Sequence, residues 1–440
     1  MANLSLAPKF IAGFALLALA ACSEKEFILE GERTAVLAPV ERVSLVAEAG
    51  AEGAQIGQAN INQSFTHPGA SAGHAGGHLS LNWPLSLAWQ AEIEGAPDIT
   101  VDLAQPIIAN DALYAIGADG RLTSFDLATG AVNFASVIEA YNDDPLPGVV
   151  GGIAAGDDRI LAHTSQYDLV AISSKDGAVL WSITHPERLK GGPTLIGDEG
   201  VLVSDINGQL YLYDVQTGAR LWQRAGLPTN TVVFGAPAPA FAASEVVLAG
   251  AGGEISIYDP ATGDLLWADS LASFNPRTPL QELADVRAHP VHDGKLVFIQ
   301  SLSGRMVTFQ AATGIEIWEQ PITSIEMPWL AGQTIYTMSV EGRLYALRRN
   351  DGAARWVTAL PDALPEGVFA DENAPRYSGP VVASDKVFTI NRSGRLYAFD
   401  AATGEEMMSL SIDGPITTAP AVAQEYLAVL NSQGKLFVYR

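Results

Sequence analysis

Tyr258-Asp-Pro-Ala-Thr-Gly-Asp-Leu-Leu-Trp267 is the clearest copy of a phrase that this 440-residue chain repeats seven times. Each copy has the end of a short apolar run, a Thr-Gly type turn, and a large side chain four residues after the glycine. The turn glycines are Gly130, Gly177, Gly218, Gly263, Gly314, Gly352 and Gly404, and the large residues are Phe134, Trp181, Trp222, Trp267, Trp318, Trp356 and Met408. A second marker precedes each turn. In the first copy it is Leu113-Tyr114-Ala115-Ile116, then Asp119-Gly120, then Leu122-Thr123-Ser124-Phe125. Its glycine returns at Gly208, Gly253, Gly304, Gly342, Gly394 and Gly434, with Tyr167 standing in the second copy.

The spacing of about 40 to 50 residues is that of one four-stranded propeller blade per repeat. Alternation of apolar and polar residues over four to eight positions specifies strands, and Asp-Gly between two such runs favours a tight hairpin. In Asp-x-x-Thr-Gly the Asp and Thr side chains can bond nearby backbone N–H groups while Gly accepts a left-handed backbone. The Trp then falls on the outermost strand, where its indole can cover the turn of a neighbouring repeat. The recurrence of these aromatics assigns them to packing between repeats.

The two ends decide the blade count. Gly434, in Leu430-Asn-Ser-Gln-Gly-Lys-Leu-Phe-Val-Tyr439, is followed by only six residues, so the last blade lacks its outer strand. Leu87-Ala88-Trp89-Gln90-Ala91-Glu92-Ile93 carries a Trp with no turn before it and supplies the missing strand. Closure of this kind pairs edges that would otherwise be open. The expectation is an all-β, eight-bladed propeller of four-stranded antiparallel blades over residues 85–440, with seven blades as the alternative.

Residues 1–21 have the layout of a secretory signal: Lys9 precedes an apolar run from Phe10 to Ala21 that is short for a membrane span. The run ends Leu19-Ala20-Ala21-Cys22, which resembles a bacterial lipobox and implies lipidation of Cys22. Cys22 is the only cysteine, so no internal disulfide is available. Residues 22–84 lose the repeat, are rich in Gly, Ala, Ser and charge, and read as a tether. His67, His74 and His78 lie there at a spacing that fits no strong metal motif. The stretch carrying them is expected either as a solvated loop or folded against the ring.

The formal net charge is −24, which disfavours nucleic acid and anionic lipid headgroups as partners. Catalytic signals are scarce. There is no Gly-x-Ser-x-Gly, no His-Glu-x-x-His and no phosphate-cradling loop. Asp143-Asp144 and Asp157-Asp158 are adjacent carboxylates, which face opposite ways in a strand. Asp205-Ile-Asn-Gly208 has the start of a calcium loop without the downstream ligands, and is read as an inter-strand turn.

The repeat Ala/Val-x-Asp-x-x-Thr-Gly-x-x-x-Trp resembles that of the pyrroloquinoline-quinone type propellers over about residues 85 to 440. Two branches share it: quinoprotein dehydrogenases, and the BamB lipoproteins of outer-membrane β-barrel assembly. The dehydrogenases typically use a vicinal cysteine pair and calcium ligands, for which this chain has no counterpart. With its lipobox, the chain is more similar to BamB. That resemblance implies a non-catalytic scaffold without cofactor or metal. It further implies a lipid anchor in the outer membrane facing the periplasm, and binding to the POTRA domains of a BamA-like protein. Client outer-membrane proteins are a further implied partner.

The family's contact loops correspond to Thr231-Val232-Val233-Phe234-Gly235 and to Leu283-Ala284-Asp285-Val286-Arg287-Ala288-His289-Pro290. Val233 matches an apolar contact and Asp285 an acidic one. Thr231 stands where Leu is expected, Phe234 where Arg is expected, and Arg287 where an acid is expected. An Arg makes bidentate ion pairs that Phe cannot, so an interface at Phe234 would be more apolar. Residues Val232 to Phe234 read equally as a buried inner strand.

Overall fold

Each copy of the repeat folds as a four-stranded antiparallel sheet, and eight such sheets are present among the described residues. The computed structural model describes residues 43–93, 103–117, 119–138, 151–164, 167–226, 237–250, 252–272, 284–361, 363 and 376–440. Blade 1 is built from strands Ile107–Ala109, Ala112–Ile116, Arg121–Asp126 and Val132–Val137. Blades 2 to 8 follow in chain order, with innermost strands Gly152–Ala155, Leu189–Ile196, Ala240–Ala242, Val291–His292, Trp329–Ala331, Tyr377–Ala383 and Ala421–Ala423. The expected closure is present. Leu87–Glu92 pairs antiparallel with Lys435–Tyr439 as the outer strand of blade 8. The count is eight, and the seven-bladed alternative falls away.

The Trp residues join neighbouring blades. Trp181 of blade 2 donates its indole N–H to Val215 O in the blade 3 turn, Trp222 of blade 3 to Pro260 O, and Trp356 of blade 6 to Ala401 O. The turn glycine under each indole has no room for a side chain. A Cβ would lie 2.9 Å from Trp222 at Gly263 and 2.6 Å from Trp318 at Gly352. These two glycines also have φ of +73° and +69°, a region that L residues enter at a cost. The ring of sockets includes its closing joint, where Trp89 of the N-terminal strand donates to Leu127 O of blade 1.

In every blade the first-to-second and third-to-fourth strand turns lie on one face of the ring. The second-to-third turns and the crossovers to the next blade lie on the other. Residues 22–84 read from sequence as a tether whose histidine-bearing stretch is either a solvated loop or folded against the ring, and from Val43 onward the chain is docked on the ring. It begins along blade 6, where Leu45 bridges Ala354 and a short helix, Ala47–Ala51, packs over Arg355. From Asn62 to Leu81 it then makes one complete circuit of the innermost strands.

The contacts run in order: Asn62 Nδ2 to Val422 O (2.8 Å, blade 8), Phe65 N to Ile108 O (2.6 Å, blade 1) and Ala155 N to Thr66 O (3.1 Å, blade 2). Next come Leu195 N to His67 Nε2 (3.1 Å, blade 3), Phe241 N to Ala72 O (2.8 Å, blade 4) and His292 N to Gly73 O (2.8 Å, blade 5). Gly77 N to Leu330 O (3.1 Å, blade 6), Leu79 N to Val382 O (3.1 Å, blade 7) and a Leu81–Glu425 bridge in blade 8 complete it. The physical reason is that eight innermost strands converge with free edges whose polar groups need partners. The Gly-rich stretch lets its backbone come close enough to supply them. At Gly73 a Cβ would meet Phe241 O at 3.3 Å and Ala242 Cβ at 3.4 Å. Phe65, Leu79 and Leu81 are buried in the main apolar cluster, so this strap is part of the core.

Candidate functional site

The strap divides the molecule into two unlike ends. On the strap face the innermost strand ends are already bonded, and on the crossover face they are not met by the strap. The residues singled out by the family resemblance belong to the crossovers that leave blade 3 after Arg224 and blade 4 after Ser270. Thr231, Val233 and Phe234 lie outside the described residues, as does Cys22. Asp285 and Arg287 stand in the described approach to blade 5.

Asp285 and Arg287 differ in accessibility. Arg287 is half-buried, whereas Asp285 is only 3% exposed. The Asp285 carbonyl accepts Leu302 N–H at 3.1 Å, which pins the backbone to the second-to-third strand turn of blade 5. Its carboxyl Oδ2 has no hydrogen-bond partner among the described residues. Burial pushes this carboxyl up to about 6, opposed by the charges of Arg287 and Lys190 and reinforced by Glu254. Lys190 opens the inner strand of blade 3. Burial lowers it from the usual ammonium range, while Glu254, Asp205 and Asp285 hold it up.

Asp205 is also buried, and it is the turn residue expected from the sequence. Its Oδ1 accepts Asn207 N–H and Gln209 N–H at 2.9 Å each, and its Oδ2 accepts the Tyr211 hydroxyl at 2.9 Å. All its bonds are local, which explains the truncated calcium-like motif without an ion. Asp157 and Asp158 belong to a turn on the strap face, where the Asp158 carboxylate accepts from the Arg159 guanidinium at 2.7 Å. Among the described residues no three His, Cys, Asp or Glu side chains are grouped to hold a metal ion.

The polar group of Lys190, Asp205, Glu254, Asp285 and Arg287 therefore sits where the crossovers of blades 3 to 5 begin and end. Lys190 and Glu254 carry no sequence motif and were not foreseen. The outer rim is the other exposed feature. Val179, Leu180, Leu221, Leu265, Leu266 and Ile317 are all exposed on outermost strands, and Ile315 is exposed just before one.

Comparison with known proteins assigns this architecture. The family described as outer membrane protein assembly factor BamB matches residues 144–358 and 369–439. The chain belongs to the BamB family. The BamB of Shewanella oneidensis is 25% identical over 361 residues, covering 80% of this chain and 88% of that protein. The BamB of Yersinia pestis is 25% identical over 280 residues, 57% of this chain and 71% of its own length.

Among solved structures, BamB from Moraxella catarrhalis superposes with a TM-score of 0.65 at 19% identity, covering 81% of this chain and 99% of that one. A europium-containing methanol dehydrogenase superposes with a TM-score of 0.68 at 14% identity, covering 86% and 98%. At such identities the structural likeness speaks for the shared propeller fold and no further. The match of the BamB family to blades 2 to 8 separates the two branches that the repeat alone leaves together.

Proposed function

We propose that this protein is a non-catalytic scaffold of outer-membrane β-barrel assembly, held at the periplasmic side of the outer membrane and binding other subunits through its crossover face. The single observation that carries this reading is the family match across blades 2 to 8. The lipobox-like Leu19-Ala20-Ala21-Cys22 supports attachment through a lipid on Cys22. Among the described residues no helix is long and apolar enough to cross a membrane.

The POTRA domains of a BamA-like protein are the partner we assign to the crossover face. Loops there vary without disturbing the sheets beneath them, and the strap already fills the opposite end. Arg287 supplies a half-buried cation at that face, and the resemblance supports Phe234, which lies outside the described residues, as an apolar contact. Asp285 acts from beneath, holding Arg287 by charge and fixing the crossover through its backbone bond to Leu302.

Extraction in mild detergent followed by affinity capture and mass spectrometry tests the reading. A BamA-like subunit is expected among the captured proteins, and its absence from repeated captures would refute the assignment. The structural likeness to a methanol dehydrogenase keeps one competing outcome specific. Turnover of an alcohol with an artificial electron acceptor, after addition of pyrroloquinoline quinone and calcium, would establish the enzyme branch instead.

A further inference from the structure

All seven histidines of the chain are His67, His74, His78, His163, His185, His289 and His292. Six are buried and His289 is half-buried. Four of the seven lie where strap and ring meet, each with an imidazole nitrogen accepting a backbone N–H. His67 Nε2 accepts the N–H of Leu195 in blade 3 at 3.1 Å, while its Nδ1 faces the Thr66 hydroxyl at 2.9 Å. His78 Nε2 accepts the N–H of Asp385 in blade 7 at 2.9 Å, and its Nδ1 donates to Gly57 O at 2.9 Å. His289 Nδ1 accepts the N–H of Ala238 at 2.9 Å. His292 Nδ1 accepts the N–H of Gly294 at 3.1 Å, and the backbone N–H of the same residue holds strap Gly73.

A fifth imidazole, His74, donates from Nδ1 to Pro290 O at 2.7 Å and leaves Nε2 buried with no partner among the described residues. Its ring lies 5.1 Å from that of His289. Protonation at any of the four acceptors removes the lone pair and sets one N–H against another. Protonation at His74 buries an unpaired charge beside a second imidazole.

We infer that the strap is a proton-sensitive latch: neutral imidazoles on and beneath it hold residues 62–81 in the channel mouth, and acidification releases this segment while the blades keep their sheets. The charged and titratable groups that face the latch are few. His67 and His289 each face His74, and His78 faces the exposed Asp385 carboxylate at 3.7 Å. His292 faces Glu245 at 3.2 Å and has Asp293 nearby, the latter paired with Arg349. Among the described residues, carboxylates face His78 and His292 and none faces the inner trio.

Burial holds His67 and His289 down at about 3 and His74 at about 4, from an ordinary 6.5. The sign follows from linkage. Groups depressed in the docked state favour docking fully above pH 6.5 and progressively less as pH falls toward those values. Each contributes about tenfold per pH unit, so about 30-fold at pH 5. Three together outweigh the contribution expected from any single strap hydrogen bond.

Hydrogen exchange on the full-length protein at pH 7.5 and pH 5.0, corrected for intrinsic rates, reads this directly. The amides of Phe65, Gly77 and Leu79 should lose at least 100-fold protection relative to those of Leu113 and Ile160 inside the blades. The variant His67→Gln, His78→Gln, His289→Asn keeps carbonyl acceptors in place and should shift opening of the strap to lower pH than in wild type. Parallel loss of protection in strap and blades, or no differential loss at all, would overturn the latch. So would opening of the triple variant at the same pH as wild type. If that variant fails to fold, limited proteolysis of the wild type decides: cleavage confined to residues 56–84 at pH 5.0 and absent at pH 7.5 supports the latch, and any other pattern refutes it.

Discussion

The socket between an indole and a turn glycine is the smallest unit that carries the architecture. Trp356 is 8% exposed, covers Gly404, and donates to Ala401 O of the next blade at 3.1 Å. Trp356→Ala should destabilise the protein by about 3 to 5 kcal/mol, as for other buried aromatic truncations. Trp356→Phe should cost about 1 to 2 kcal/mol, because chiefly the indole bond is lost. Urea unfolding midpoints distinguish the two, and a Trp356→Phe variant as stable as the parent protein would mean that the inter-blade bond does not matter. Met408 is the informative exception. It occupies the equivalent place in blade 7, but blade 8 takes its outer strand from Leu87–Glu92 and has no Thr-Gly turn to cover.

Asp285 shows what single residues in a sequence do not reveal. Its acidic character matched a family contact position, yet its side chain is buried under the crossover. With the carboxyl raised to about 6 from an ordinary 3.8, the penalty on the folded state grows as pH rises from 3.8 to 6 and is complete above that value. Asp285→Asn should therefore stabilise the fold at pH 7.5 by roughly 1 to 3 kcal/mol, and the gain should shrink as pH falls from 6 toward 4. Denaturation at both ends of that range checks it. A destabilised variant at pH 7.5 would show that Arg287 and Lys190 compensate the buried charge fully.

At the scale of elements, strands and turns were legible because their chemistry is local. Period-two alternation, Asp-Gly turns and the Asp-x-x-Thr-Gly bonds are set within a dozen residues. Asp214 illustrates this, accepting both Thr217 N–H and the Thr217 hydroxyl, at 2.8 and 2.7 Å. The bulge that follows was not legible. In blade 4 Ile257 pairs with Trp267 and Tyr258 with Leu265, so Leu265 and Leu266 both face solvent before the Trp turns inward. That slip explains the paired apolar residues exposed on the rim.

That the strap folds against the ring was one of two readings of its sequence, but its full circuit was not legible, because its partners are spread over eight blades and it has no period of its own. Its Gly content suggested flexibility, whereas in the fold it permits close backbone approach. Phe65, 0% exposed and hydrogen-bonded to Ile108 through both backbone groups, separates the two views. Phe65→Ala should destabilise the ring by about 3 to 5 kcal/mol if the strap is core. A free tether would leave the unfolding midpoint unchanged.

At the scale of the molecule, closure and asymmetry set the function. The ring closes through strand exchange between Leu87–Glu92 and Lys435–Tyr439, and again through the circuit of Asn62 to Leu81. With one end occupied by the chain's own residues, the recruitment of another polypeptide that we propose falls to the crossover face or the rim. The fold and its family were readable from repeat and spacing, but the working face was not. Which end is occupied depends on contacts hundreds of residues apart, such as Asn62 with Val422.

The most direct measurement places a photo-crosslinking amino acid at Arg287 on the crossover face and, separately, at Gln333 on the strap face, and captures the complex in mild detergent. The account predicts adducts with a BamA-like subunit from position 287 and none from position 333. Adducts from position 333 with none from 287 would contradict it.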